Sequence, residues 1–279
     1  MRSKIPVRIW AVLAAMPLLL GSCSFPPDSW VRWGLSFVPV SVDRTLGEQA
    51  VGQMTAAPRL EGPAVASVLV LLDSALDRDS AWDYTLRAMD DEVVNAFALP
   101  GGPIFLHRGL LRRIETPEAL AGLIAHEMGH VQARHGTQGV ARAVFWTLLA
   151  QVALGDLGGL GQILAQHGTT LAENAYSRDQ EREADSLGAV RLAEAGIDPA
   201  GMASLLKVLE EQSHETPGLA ALWSTHPLTS ERIDNVRRIA DRLRAGRTFS
   251  SPVGDAAWSA FRAEVGPAKS PSPPVPPSP

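Results

Sequence analysis

Ala125-His126-Glu127-Met128-Gly129-His130 is the stretch whose reading decides this chain. In a helix, residues four apart are about 400° apart, so the His126 and His130 imidazoles leave one face, a turn apart. Two neutral ring nitrogens so placed can bind one Zn²⁺ at about 2.0–2.1 Å each. Glu127 lies beside them and can take a proton from water activated there. A catalytic zinc needs a third protein ligand and leaves the fourth position open.

Two routes to that ligand exist. His135 lies about 180° from His126 on a continuous helix, so it cannot share the metal unless the helix breaks first. Glu181 and Asp185 are four apart and project from one face of a second helix. Glu181 can ligate the zinc while Asp185 accepts the outer N–H of a ligand histidine and fixes its tautomer. Glu183 is the alternative ligand, but it points about 160° away from both. His107, His135, His167 and His214 have no companions in sequence and are assigned no role.

Around the motif the periods are those of a mainly helical α+β domain. A short helix is expected over residues 44–54. Val65, Val68, Leu69, Leu72 and Leu76 recur at helical spacing and form the apolar stripe of a second helix. Trp82, Tyr84, Leu86 and Ala88 then alternate with polar residues, as in a half-buried strand. Asp90-Asp91-Glu92 and Pro100-Gly101-Gly102 are turns separating this strand from two more, at 93–99 and 104–106. The expectation is a small three-stranded antiparallel sheet with helices on one side. Thr116-Pro117-Glu118 starts the motif helix with a cap hydroxyl, a proline and an acid, and Gly136 is its expected stop. Residues 142–168 read as a helix plus a mobile segment near the cleft. Further helices follow at 171–195, 200–212 and 230–245.

The ends carry different signals. Arg2, Lys4 and Arg8 precede an apolar run over residues 9–20, too short for a membrane span and suited to a secretory signal. Leu20-Gly21-Ser22-Cys23 resembles the bacterial lipobox, which implies acylation of a new N-terminal Cys23. Cys23 is the single cysteine, so no intramolecular disulfide is available. The whole chain carries −5; without Arg2, Lys4 and Arg8 it keeps 22 basic and 30 acidic residues, a net −8. That balance argues against nucleic acid as a partner and leaves membrane attachment to the lipid. The expected organisation is a signal peptide at 1–22, an anchor and spacer at 23–43, a catalytic domain at 44–250 and a Pro/Ser-rich tail at 251–279.

Four ordered motifs make a resemblance specific. They are His-Glu-Met-Gly-His at 126–130; the run from Tyr176-Ser177-Arg178-Asp179 to Glu181-Arg182-Glu183-Ala184-Asp185; the run from Val94-Asn95 to Pro100-Gly101-Gly102; and Thr225-His226-Pro227 with Arg232-Ile233. Together they resemble the HtpX/CAAX-endopeptidase group, the forty-eighth family of metallopeptidases, in its soluble periplasmic lipoprotein branch. The resemblance implies a gluzincin-like fold, one Zn²⁺ per chain held by His126, His130 and Glu181, and Glu127 as the base. It places His226 near the metal, as a transition-state donor or a reversible fourth ligand. Arg232 is expected to pair with Asp185 or with the surroundings of Glu181. Asn95 either binds substrate backbone at a strand edge or holds a turn. The implied activity is endoproteolysis of unfolded or misassembled envelope proteins at the periplasmic side of the outer membrane. The rival is a latent, chaperone-like factor in outer-membrane protein assembly. The multi-span membrane helices of some members have no counterpart here, which argues against membrane-embedded substrates. No helical-repeat pattern is read after residue 245.

Overall fold

A computed structural model describes residues 28–54, 58–77, 81–154, 175–213 and 219–268. The leader, Cys23, His167, His214 and the last residues of the Pro/Ser tail lie outside them, as does part of the segment expected near the cleft. In chain order the elements are α1 (Asp28–Leu35), α2 (Val40–Gln53), α3 (Pro63–Leu76), β1 (Thr85–Met89), β2 (Ala96–Ala98), β3 (Pro103–His107) and α4 (Arg108–Leu111). They continue with α5 (Pro117–Gln132), α6 (His135–Leu154), α7 (Arg178–Glu194), α8 (Ala200–Ser213), α9 (Leu219–Thr225), α10 (Ser230–Arg244) and α11 (Asp255–Val265).

The motif helix is α5, and it is the centre of the fold. Thr116 Oγ1 accepts the Ala119 N–H at 3.2 Å, and Pro117 opens the first turn. Every residue from Ala119 to Val131 is buried, so α5 has no solvent face and must be covered all round. Its main partners are α7 and α8. Both contacts are made by small residues. A Cβ on Gly129 would lie 2.7 Å from the Ala184 carbonyl oxygen, one on Gly188 3.0 Å from that of Ala125, and one on Gly122 2.8 Å from Met202 Cα. The backbones therefore touch, which even an alanine methyl at these positions would force apart. α7 starts later than the periodicity suggests, at a capping box in which Ser177 and Gln180 satisfy each other's backbone N–H groups.

The sheet has three strands, but it is mixed rather than antiparallel, in the order β1-β3-β2. β2 and β3 form the expected hairpin, Ala98 opposite Ile104. Gly101 and Gly102 close it at φ 85° and 133°, where a side chain is strained. β1 lies parallel to β3, Thr85 opposite Pro103. The reason lies in residues 90–95. Asp91 Oδ1 accepts the Val93 N–H at 3.1 Å, and the Asp91 carbonyl accepts the Gly109 N–H at 3.0 Å. The chain after β1 is thereby carried past the end of β3, and no hairpin forms there. His107 joins this corner, its Nδ1 2.8 Å from Asp91 Oδ1.

Both ends of the described chain fold back onto the domain. The stretch read as an anchor and spacer contains α1. Arg134 donates to the Leu35 and Val38 carbonyls at 2.7 and 2.9 Å and forms a fork with the buried Asp43. Thr137 also donates to Asp43. Arg134 does this from φ 59°, a left-handed conformation that costs an L-residue about 1–2 kcal/mol. At the other end, where a tail was expected from residue 251, α11 packs on α3. Phe261 and Val265 are fully buried. Gly62 offers α3 no side-chain cap, and Glu264 Oε2 takes its place by accepting the Val65 N–H at 2.7 Å. Phe261→Ala should cost about 3–5 kcal/mol, measured as a lower urea midpoint. An unchanged midpoint would mean that α11 is not part of the folded core.

Candidate metal centre

The contact of α5 with α7 places the predicted ligands. His126 and His130 leave one face of α5, and Glu181 faces them from the first turn of α7. His130 Nε2 is 3.0 Å from His126 Nε2 and 3.3 Å from Glu181 Oε1, and His126 Nε2 is 3.5 Å from Glu181 Oε2. His226, one residue beyond α9, joins them: its Nδ1 lies 3.0 Å from Glu181 Oε1 and 3.4 Å from His126 Nε2. The four donors fall within 4.8 Å of one another and all four residues are buried.

This arrangement fits a metal ion on three counts. A tetrahedral cation with bonds of about 2.05 Å keeps its donors roughly 3.3 Å apart, and the separations given above, 3.0 to 3.5 Å, lie close to that value, with the whole set within 4.8 Å. The Nε2 atoms of His126 and His130 face one another, which suits two lone pairs aimed at a cation. The charges also need one. Glu127, Glu181 and Asp185 bring three carboxylates against the single guanidinium of Arg232, so with neutral imidazoles the buried group carries a formal −2. Glu127 Oε2 and His226 Nε2 are buried without a hydrogen-bond partner.

Outer contacts hold the ligands. His126 Nδ1–H donates to Asp185 Oδ1 at 2.9 Å, and Arg232 grips Asp185 through Nε at 2.7 Å and Nη2 at 2.9 Å. Arg232 Nη1 is also 2.5 Å from Glu181 Oε2, as an ionic contact rather than an aligned hydrogen bond. Burial alone would raise the Glu181 carboxyl, but His226 and Arg232 hold it well below the usual carboxylate range. Asp185 is likewise lowered, burial being outweighed by Arg232. Burial pushes His130 well below an ordinary imidazole. His226 moves up, because Glu181 and Glu127 outweigh its burial. Tyr176 stacks on His130 at 3.8 Å between ring centroids, and burial raises its phenol.

Asn95 stands where β2 begins. Its Oδ1 accepts its neighbour's Ala96 N–H at 3.0 Å and the Thr225 hydroxyl at 3.4 Å. It thus holds a turn and ties the sheet to the residue before His226. Glu183 points away from the donor group, towards His135 at 3.2 Å. His135, which sequence reasoning passed over, sits with its Nδ1 2.9 Å from His130 Nδ1. Burial takes it down to about 4. Its signal was a helix break after Gln132, which no proline or glycine announces. Beside Glu127 and His226 a narrow apolar pocket is walled by Leu123, Met202, Leu206, Leu209, Leu222 and Trp223. A wider groove of about 500 Å³ along α3 and β1 is lined by none of the site residues.

A mainly helical domain with a small sheet, an H-E-x-x-H helix and a glutamate on the next packed helix defines a metallopeptidase. The chain belongs to peptidase family M48, whose pattern matches residues 64–240. It is similar to the metalloprotease LoiP of Escherichia coli K12, at 33% identity over 81% of this chain and 88% of that protein. It is 28% identical to the beta-barrel assembly-enhancing protease of Yersinia pestis, over 84% of this chain and 51% of the relative. With the mitochondrial metalloendopeptidase OMA1 of Schizosaccharomyces pombe it shares 33% identity over 62% of this chain and 50% of the relative. The chain spans about half the length of the last two. Among the described residues no helix is long and apolar enough to cross a membrane.

A metal at 100 times its dissociation constant stabilises by about 2.7 kcal/mol, so chelation should lower the melting temperature by roughly 5–10 °C at this chain length. Calorimetry with and without chelator checks this, and coincident transitions would argue against a metal among these four donors.

Proposed function

We propose that the chain is a zinc endopeptidase that hydrolyses peptide bonds in unfolded or misassembled cell-envelope proteins, a quality-control role facing the periplasm. The observation that carries the chemistry is the buried donor group with the unpartnered Glu127 Oε2 beside it. Its three nitrogens and one carboxylate are a donor set suited to zinc. The names of the relatives support the envelope setting, and the leader with its lipobox-like Cys23 supports attachment by lipid at the outer membrane.

Zinc, when bound, supplies the Lewis acidity that polarises the scissile carbonyl and makes water nucleophilic. Glu127 takes the proton of the attacking water on Oε2 and delivers it to the leaving amine. His226 Nε2, 3.7 Å from Glu127 Oε1, is placed to donate to the developing oxyanion. Asp185 and Arg232 keep His126 in the tautomer that leaves Nε2 free. The apolar pocket takes a hydrophobic side chain next to the scissile bond. The substrate lies extended at the β2 edge, where the Asn95 amide can donate to its backbone. Recognition through main-chain hydrogen bonds suits unfolded segments of many sequences.

One observation favours a second, compatible reading. His226 Nδ1 stands inside the donor set, where it would occupy the position that water needs. A resting protein in that state is latent, and its contribution to outer-membrane protein assembly would be chaperone-like.

Degradation of an unfolded protein by the zinc-loaded chain tests the first reading. Glu127→Gln should lower the rate by at least about 10²-fold with bound zinc unchanged; equal rates would remove Glu127 as the base. His226→Ala separates the two roles of that residue. A faster variant means that His226 blocks the fourth position, and a slower one with equal zinc means that it serves the transition state.

A further inference from the structure

We infer that His135 and Glu183, with Arg32 at the outer end, form a relay that positions His130 and so strengthens the hold of the centre on its metal. The inference rests on the reading of His130 as a ligand.

The relay begins with a broken helix. Were α5 to continue, residue 135 would stand about 140° around the axis from His130. Instead the left-handed turn at Arg134 sends the chain back, and the buried His135 ring comes to rest against His130 with 5.0 Å between centroids. His130 Nε2 faces the other donors, so its Nδ1 is the outer nitrogen. Two Nδ1 atoms 2.9 Å apart need one proton between them. His130 supplies it, since a ring bound through Nε2 keeps its proton on Nδ1. His135 therefore accepts on Nδ1 and carries its own proton on Nε2, which donates to Glu183 Oε2 at 3.2 Å. Glu183 is gripped in turn by both arms of Arg32, Nη1 at 3.0 Å from Oε1 and Nη2 at 2.6 Å from Oε2. Each link leaves the next only one tautomer.

The arrangement parallels the one behind the other histidine, where Asp185 and Arg232 hold His126. It also explains the three acids of Glu181-Arg182-Glu183-Ala184-Asp185. Glu181 faces the donor group, Asp185 serves His126, and Glu183, aimed the opposite way, serves His130 through His135. The difference lies in where the relays end. Arg232 is buried on α10, whereas Arg32 belongs to α1 and its pair with Glu183 is 40% and 33% exposed. α1 is held on the other side by Arg134, the residue next to His135, through the Leu35 and Val38 carbonyls.

The test compares zinc affinity by chelator competition for the full chain and for His135→Ala, His135→Asn, Glu183→Gln and Arg32→Gln. A second readout is the exchangeable ring N–H resonances of the cobalt-substituted protein. His135→Ala should bind zinc ~10–100-fold more weakly and lose the His130 N–H resonance to solvent exchange while the His126 resonance stays. His135→Asn, which keeps an acceptor, should restore part of both. Glu183→Gln should fall between, and Arg32→Gln should lose least, because its pair is solvated. A purely packing role for His135 would weaken Ala and Asn alike and leave Glu183→Gln at wild-type affinity, which overturns the relay. So does one zinc per chain in the wild type with unchanged affinity in His135→Ala and Glu183→Gln. No zinc in the wild type overturns the reading of the centre itself, and the relay with it.

Discussion

The close crossing of α5 and α7 is the constraint from which the centre follows. Two helices usually keep their axes 8–10 Å apart because side chains stand between them. Here Gly129 meets the Ala184 backbone and Gly188 meets that of Ala125, so the gap is closed at two points along the contact. Those points fall at residues 125 and 129 on one helix and 184 and 188 on the other, beside His126, His130 and Asp185 and one turn from Glu181. A side chain at 129, even alanine's methyl, would push α7 outwards, and one at 188 would meet the Ala125 backbone at 3.0 Å. A displacement of a fraction of an ångström there matters, since one cation with bonds of about 2.05 Å keeps its donors roughly 3.3 Å apart. The spacing within each helix selects which side chains face inwards. The absence of side chains at the crossing decides that they meet.

Bringing them together creates an electrostatic problem that the domain resolves only in part by itself. Carboxylates in an apolar interior are costly unless paired. Arg232 serves two of them, Glu181 and Asp185, and is itself held strongly protonated by both. Glu127 is left without a cation of its own, and its Oε2 has no donor. The lowered carboxyl of Glu181 and the raised imidazole of His226 are two sides of one imbalance, in which His226 substitutes for missing positive charge. A divalent ion among these donors would supply the positive charge that the three carboxylates lack.

The parts legible in the sequence are those fixed by local rules. The 3.6-residue period put both histidines on one face, Thr116-Pro117 marked the helix start, and the Pro100-Gly101-Gly102 turn marked the β2–β3 hairpin. The Glu181–Asp185 pair could be placed because its spacing is helical and the four motifs occur in order. What escaped was decided by tertiary contacts. β1 runs parallel because Asp91 holds residues 90–95 against Gly109, a contact no period announces. α1 and α11 are amphipathic but short, and each is placed by partners distant in sequence, Arg134 and Glu183 for one and Val65 at the start of α3 for the other. His135 was set aside on the assumption of an unbroken helix, and the break lies at an arginine. The capping box at Ser177 and Gln180 was legible in principle, since Ser-x-x-Gln before a helical run is its signature, and it would have moved the α7 start from 171 to 178.

The four donors are not held with equal rigidity, and this bears on which can be exchanged for water. His126, His130 and Glu181 stand within helices whose backbones touch, and two of them carry outer hydrogen bonds to further side chains. His226 stands on the connection between α9 and α10. Its own amide donates to Leu222, the residue before it is tied to Tyr176 through the Thr225 carbonyl, and Pro227 follows. Its ring is unlike those of His126 and His130, because Nε2 has no outer acceptor that fixes its orientation and faces only Glu127, at 3.7 Å. The ring is packed against those of His126, His130 and Tyr176, at 5.4, 5.2 and 5.3 Å between centroids. Helix-borne ligands give a centre its geometry, and a single connection-borne one gives it a position that can be vacated. Three of the four donors therefore stand on packed helices and the fourth on a connection, and the boundary between them falls at the end of α9.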